Sequence, residues 1–208
     1  VSPIVDRGLA WWKGLGCEST IGGAPSYGMK LMGVSGHVNR PGVYECDLGI
    51  PLKDLVEKHC LGMRGGKKFK GAIAGGVSMG VLGTDQYDAP MDFDIGRRCD
   101  VMGLGTACPT IFDEDTDMVA VARNIARFFK NESCGQCTPC REGAGWIYKL
   151  ITRIERGDAT VAVGTLATAL FILQLHDRLA NLAAPASDAL ALTLDERRLP
   201  QRIRRASS

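Results

Sequence analysis

Three cysteines fall three apart in "NESCGQCTPCREG", residues 131–143: Cys134, Cys137 and Cys140. The spacing C-x2-C-x2-C sets three thiolates around one compact object. A short loop can reach the metal corners of a cubane iron–sulfur cluster in succession, and three adjacent ligands so spaced are its usual sequence mark. Gly135 lets the backbone turn sharply beside such a cluster. Ser133, Gln136 and Thr138 can send hydrogen bonds toward cluster sulfurs and so tune potential. Arg141 can offset the cluster's negative charge. Zinc is the competing metal, but tetrahedral zinc takes two separated C-x2-C pairs, or one pair plus histidines. No second pair exists, and His176 is the only histidine after the triplet. Reactive or structural thiols complete the alternatives.

The other five cysteines are single: Cys17, Cys46, Cys60, Cys99 and Cys108. Cys46 and Cys60 fall on apolar faces and read as small buried hydrophobes. Cys99 and Cys108, in "RRCDVMGLGTAC", leave room for a second metal pair. The close triplet is poor disulfide spacing, so a reducing compartment with a metal site fits better than a secreted disulfide framework. His37 and His59 read as surface or satisfied core histidines. "AGGVSMG" and "GLGTA" glance at phosphate loops, yet neither has the strand, lysine and helix such a loop needs, so both read as tight turns. "RGGKKFK" reads as a solvated basic turn. No Ser/His/Asp set or carboxylate pair stands out.

The elements that must hold the thiols are two helices. "DEDTDMVAVARNIARFFKNES" predicts a helix opened by acidic residues, with Met118, Val121, Ala122, Ile125 and Phe128/Phe129 as a buried stripe. "GWIYKLITRIERG" predicts a second, ending at Gly157, with the thiols in a tight loop between them. Upstream, "MKLMGVSGHVNRPGVYECDL" predicts a hairpin. Met32, Val34 and Val38 share one face, Tyr44, Cys46 and Leu48 alternate on the return strand, and Pro41–Gly42 suits a type II turn. A helix follows, with Pro51 at its first position, a stripe of Leu52, Leu55, Val56 and Cys60, and Gly62 as its stop. A short strand in "FKGAIAGG" comes next, and the unit's last recognisable element lies near "PMDFD", residues 90–94. Hairpin, helix and strands predict a small α+β domain, with a β-grasp as the candidate. "VDRGLAWWKGLG" predicts one short helix closing something upstream.

The chain has 208 residues with net charge +2, too balanced to make nucleic acid or an anionic membrane a default partner. It begins at Val1 without a charged or apolar leader, and its start reads as a cut into a longer protein. The uncharged stretch Ala159 to Leu175 is short for a spanning helix, and no direct membrane insertion is expected. From about residue 163 the composition breaks: no Gly follows Gly164, no Lys follows Lys149 and no aromatic follows Phe171. A helical tail with a basic end is one reading of that segment.

Taken together, "ESCGQCTPCREG" resembles the cluster motif of the NADH- and FMN-binding flavoprotein subunit of respiratory complex I, the family of NADH-quinone oxidoreductase F subunits. The motif also occurs in diaphorase subunits of NAD-linked hydrogenases and formate dehydrogenases. "KLMGVSGHVNRPGVYE" resembles that family's soluble-ligand-binding (SLBB) β-grasp domain, and "PMDFD", "GLGTA" and "KNESCGQCTPCREGAGW" follow in the family's order. The resemblance implies four stretches: 1–26 as the tail of an upstream flavin/NADH-binding domain, 27–112 as the β-grasp domain, 113–162 as the helical 4Fe–4S domain, and 163–208 as a family-divergent tail. It implies that electrons from NADH-reduced FMN pass through a 4Fe–4S cluster held by Cys134, Cys137 and Cys140 to further iron–sulfur subunits. The partners implied are a thioredoxin-like 2Fe–2S subunit and the large iron–sulfur subunit, in the cytoplasm, peripheral to the inner membrane.

The chain departs from the family twice. The NADH- and FMN-binding part is expected upstream of Val1, so this chain alone is not expected to bind those cofactors or oxidise NADH. The family pattern also adds a fourth cysteine downstream, in a "T-x-C-x-L-G"-like segment, and nothing after Cys140 is cysteine. Either a shifted reading frame begins near residue 163, or the fourth iron uses His176, a carboxylate or water, or a 3Fe–4S form results. A reading of another class is a non-enzymatic β-grasp binding module with a zinc or vestigial metal loop. Translating the coding DNA in the other two frames beyond about residue 163 is expected to give a cysteine-bearing continuation. If neither frame does, the frame-shift reading is dead.

Overall fold

The computed structural model describes residues 2–158, 160–162 and 164. The chain forms two compact units, Val1–Val121 and Ala122–Ser208. The uncharged stretch Ala159 to Leu175 and the divergent tail fall largely or wholly outside the described residues, as does His176.

The first unit opens with helix α1, Ser2–Gly14, which is broken at Gly8 (φ 81°) and buries no residue. A two-stranded antiparallel ribbon follows, β1 (Gly16–Cys17) with β2 (Ser26–Tyr27). The main sheet holds β3 (Met29–Gly36), β4 (Gly42–Asp47), β5 (Phe69–Ile73), β6 (Val81–Leu82) and β7 (Thr110–Asp113), in the order β4-β3-β7-β5-β6. Pairing is antiparallel except between β3 and β7, which run parallel, so the chain is mixed α/β with a mixed sheet.

The expected hairpin is present, and its alternation decides the core. Met32, Val34, Val38, Cys46 and Leu48 are all buried. The turn differs from expectation. Gly42 already lies in β4 opposite Val34, and the left-handed residue is Gly36, at φ 91°. A Cβ there would stand 2.2 Å from the Ile111 carbonyl oxygen, because β7 passes directly alongside. That close approach, rather than a Pro–Gly turn, is what requires glycine.

Helix α2, Leu52–Asp54, continues as a π-helical turn, Leu55–His59. Its stripe of Leu52, Leu55, Val56 and Cys60 is fully buried, as periodicity predicts. Pro51 caps the helix from outside instead of occupying its first position. Leu61 and Gly62 then end it with positive φ values of 60° and 81°. Burial pushes the Cys46, Cys60 and Cys99 thiols up from their ordinary value, so these stay neutral core groups.

Strand β7 extends the unit well past "PMDFD". Its sequence, "TIFD", is short and lacks alternation, because Ile111, Phe112 and Asp113 are all buried in mid-sheet. "PMDFD" itself is an electrostatic tie. Buried Asp92 takes both ends of the Arg98 guanidinium, at 3.0 and 3.1 Å, beside helix α3 (Ile95–Cys99), and Ser19 donates to Asp94. The two glycine loops meet each other, with Thr106 donating through N (3.0 Å) and Oγ1 (2.7 Å) to the Gly75 carbonyl.

The basic turn is not merely solvated. Lys67 pairs with Asp113 (3.3 Å) and Asp115 (2.9 Å), and Lys70 donates to the carbonyls of Glu114 (3.1 Å) and Thr116 (2.6 Å). His37 Nδ1 accepts the Asp113 backbone N–H at 3.2 Å and lies 3.2 Å from the Thr116 hydroxyl. Burial pushes the Asp113 carboxyl up, but hydrogen bonds from Thr116 and Lys67 and the charge of Lys67 outweigh it, leaving the carboxyl below its usual value. Stability from a depressed carboxylate is present above its unfolded pKa, near 4, and is lost as pH falls through the folded value. Asp113→Asn is therefore expected to be less stable than the parent at pH 7, with the gap in urea midpoint closing toward pH 3. A gap independent of pH contradicts this. Ile111→Ala, which hollows the middle of the sheet, is expected to lower unfolding free energy by about 2–5 kcal/mol in urea titration.

Candidate metal centre

Helix α4, Met118–Asn131, starts on a side-chain cap: Asp117 Oδ1 accepts the backbone N–H groups of Val119 (2.9 Å) and Ala120 (3.2 Å). The expected buried stripe of α4 is only half covered. Ala126 alone is buried, while Phe128 is 48% and Phe129 38% exposed. Helix α5, Ala144–Glu155, likewise leaves Trp146 66% exposed. An amphipathic pattern marks the apolar face of each helix without supplying what covers it. Arg123 of α4 pairs with Glu155 of α5, and Lys130 lies over the Tyr148 ring, 5.3 Å from its centre.

Between the helices the backbone is organised by hydrogen bonds that the cysteine segment makes to itself. Gly135 sits at φ 80°, a conformation that suits glycine. The Ser133 hydroxyl accepts the Gly135 backbone N–H (3.2 Å) and the Cys140 thiol (3.3 Å). The Cys137 carbonyl accepts the N–H groups of Cys140 (3.1 Å) and Arg141 (2.8 Å), winding the chain into a π-helical turn, Pro139–Gly143, that runs into α5. Cys134 and Cys137 thus lie in the connecting segment, whereas Cys140 is already helical, which departs from a simple loop.

Arg141 is turned onto the segment: it donates to the Gly135 carbonyl (3.1 Å) and the Thr138 hydroxyl (3.4 Å), and pairs with Glu142 at 3.3 Å. Its first task is to brace the backbone around the thiols, a role that charge alone does not suggest. Gln136 is exposed.

All three thiols are exposed and free of disulfides. Among the described residues, no three His, Cys, Asp or Glu side chains stand close enough together to hold a metal ion. The donor set nonetheless suits an iron–sulfur group: three soft thiol ligands in seven residues, reachable from outside, on a segment braced by Ser133 and Arg141. The remaining cysteines do not join them. Cys46, Cys60 and Cys99 are buried, Cys17 donates to Asp92 at 3.8 Å, and Cys108 is a lone exposed thiol. Cys99 and Cys108 belong to no metal-holding group among the described residues. Of the histidines, His59 contacts Cys46 at 3.8 Å and His37 serves the Asp113 network.

Residues 120–181 match the NADH-ubiquinone oxidoreductase-F iron–sulfur binding region, and residues 31–82 match the SLBB domain. The F subunit of NADH-quinone oxidoreductase from Rhodobacter capsulatus is 43% identical over 163 residues, covering 77% of this chain and 36% of that protein. The mitochondrial NADH dehydrogenase [ubiquinone] flavoprotein 1 of Dictyostelium discoideum is 44% identical over 158 residues, covering 75% and 32%. The crystal structure of an NAD+-reducing [NiFe]-hydrogenase in the air-oxidised state matches with a TM-score of 0.61 at 34% identity, over 77% of this chain and 26% of that one. The chain spans about a third of the length of the curated relatives it matches. Over the shared stretch, with both domains matching in order, the chain is a homologue of NADH-quinone oxidoreductase F subunits.

Proposed function

We propose that the chain is the iron–sulfur-bearing part of an NADH dehydrogenase flavoprotein subunit, with Cys134, Cys137 and Cys140 as cluster ligands. The observation that carries this reading is the set of three free, exposed thiols inside the matched iron–sulfur binding region. A 4Fe–4S cluster, when bound, takes up and releases single electrons at a potential set by its surroundings. The function is electron transfer from NADH-reduced FMN toward further iron–sulfur subunits.

The chain's own residues prepare for that task. Ser133 orients Cys140 by accepting its thiol proton in the metal-free chain, and that proton must leave when sulfur ligates. Arg141 braces the Gly135 turn and keeps a guanidinium within the ligand segment, where it counters thiolate charge. Gln136, exposed between two of the thiols, would donate to a cluster sulfur. The proposed division is residues 1–26 as the end of a flavin/NADH domain, 27–112 as a β-grasp domain, 113–162 as the helical cluster domain, and 163–208 as a tail for which a shifted reading frame is one reading, although the iron–sulfur region match itself runs on to residue 181. The partners are a thioredoxin-like 2Fe–2S subunit and the large iron–sulfur subunit, in the cytoplasm at the inner membrane. Among the described residues no helix is long and apolar enough to cross a membrane.

A diaphorase role beside an NAD-linked hydrogenase is the second reading, favoured by the NAD+-reducing [NiFe]-hydrogenase likeness. Anaerobic reconstitution of the chain with ferrous iron and sulfide is expected to give visible iron–sulfur absorption. Cys134→Ser, Cys137→Ser and Cys140→Ser should each reduce it several-fold, and Cys108→Ser should leave it unchanged. Equal loading of the parent and all three triplet variants would overturn the ligand assignment. With no fourth cysteine after Cys140, the loaded form is expected to lose iron quickly on exposure to air.

A further inference from the structure

The second unit carries a feature that the cluster does not use. A pocket of about 290 Å³ is lined by Arg123, Asn124 and Arg127 of α4 and Tyr148 of α5. Every described lining side chain is polar, and two are guanidiniums. Positions 123, 127 and 130 follow helical spacing, so Arg123, Arg127 and Lys130 share one face.

The charges are unequally matched. Arg123 has Glu155 as its partner. Arg127 donates to the neutral Asn124 side-chain oxygen at 3.1 Å, and Lys130 lies over the Tyr148 ring at 5.3 Å. Among the described residues, neither Arg127 nor Lys130 forms an ion pair with a carboxylate. Asn124 and Glu155 hold the two guanidiniums in place, and each fork keeps further N–H donors. Among the described residues three cations stand against one carboxylate, in a cleft that suits a small group rather than an extended apolar ligand.

We propose that this pocket binds a tetrahedral oxyanion of the phosphate class, gripped by Arg127 and Arg123, with Lys130 adding charge from beside Tyr148. Forked guanidiniums bind phosphate oxygens in pairs, which a water-exposed ammonium does not. The oxyanion is either free phosphate or the terminal phosphate of a nucleotide. None of the three thiols is among the pocket's described lining residues.

Equilibrium dialysis of the full chain against radiolabelled inorganic phosphate, at fixed sodium chloride, tests it. Saturable binding is expected. Arg127→Gln and Arg123→Gln should each weaken it by about tenfold, the loss of a charged hydrogen-bonding partner. Arg156→Gln, outside the pocket, should not. Circular dichroism of each variant separates lost binding from lost helix, and Lys130→Gln, at an exposed position, gives a milder variant expected to show a smaller loss. ADP that displaces phosphate at lower concentration assigns the site to nucleotide phosphate; failure to displace assigns it to the free ion. Non-saturable uptake, or equal binding by the parent and both folded arginine variants, overturns the proposal.

Discussion

Four residues in the middle of the sheet carry the first unit. Thr110–Asp113 pair in parallel with β3 and antiparallel with β5, and without them the hairpin and the β5–β6 pair are separate two-stranded pieces. Such pieces are marginal alone, whereas five strands with one apolar face can support a core. The close pass of β7 forces glycine at position 36, and its last residue, Asp113, gathers His37, Lys67 and Thr116 around a buried carboxylate. The acidic run after it is tied down by lysines of the basic turn before α4 starts at its Asp117 cap.

The second unit works on a different principle. The apolar faces of α4 and α5 are only partly covered, and the order near the thiols comes from short-range polar contacts. Ser133, the Cys137 carbonyl and Arg141 account for the path of the segment from Gly135 to Gly143. A ligand segment shaped by local bonds, with its thiols outside any core, can reshape around an inorganic group at small cost to the rest of the fold. Core thiols such as Cys60 and Cys99 could not, since burial both hides them and disfavours their charged form.

Much of this was legible in the sequence, for reasons that differ by element. The hairpin and α2 were readable because alternation at Met32/Val34 and helical spacing at Leu52/Val56 report burial directly. The thiol triplet was readable because ligand spacing is a local property. Strand β7 was not, since a four-residue central strand buried on both sides has no period to read. The role of "RGGKKFK" was also hidden: only the folded sheet brings Lys67 and Lys70 to residues more than forty positions away. The half-covered stripe of α4 shows the converse, because an amphipathic pattern tells which face is apolar but not what lies against it.

The central claim is that the triplet holds an iron–sulfur cluster and not zinc. The most direct measurement is metal and acid-labile sulfide analysis of the chain expressed and purified without oxygen. Iron accompanied by a matching amount of sulfide, with zinc near background, is the predicted result. Stoichiometric zinc without sulfide would contradict the account.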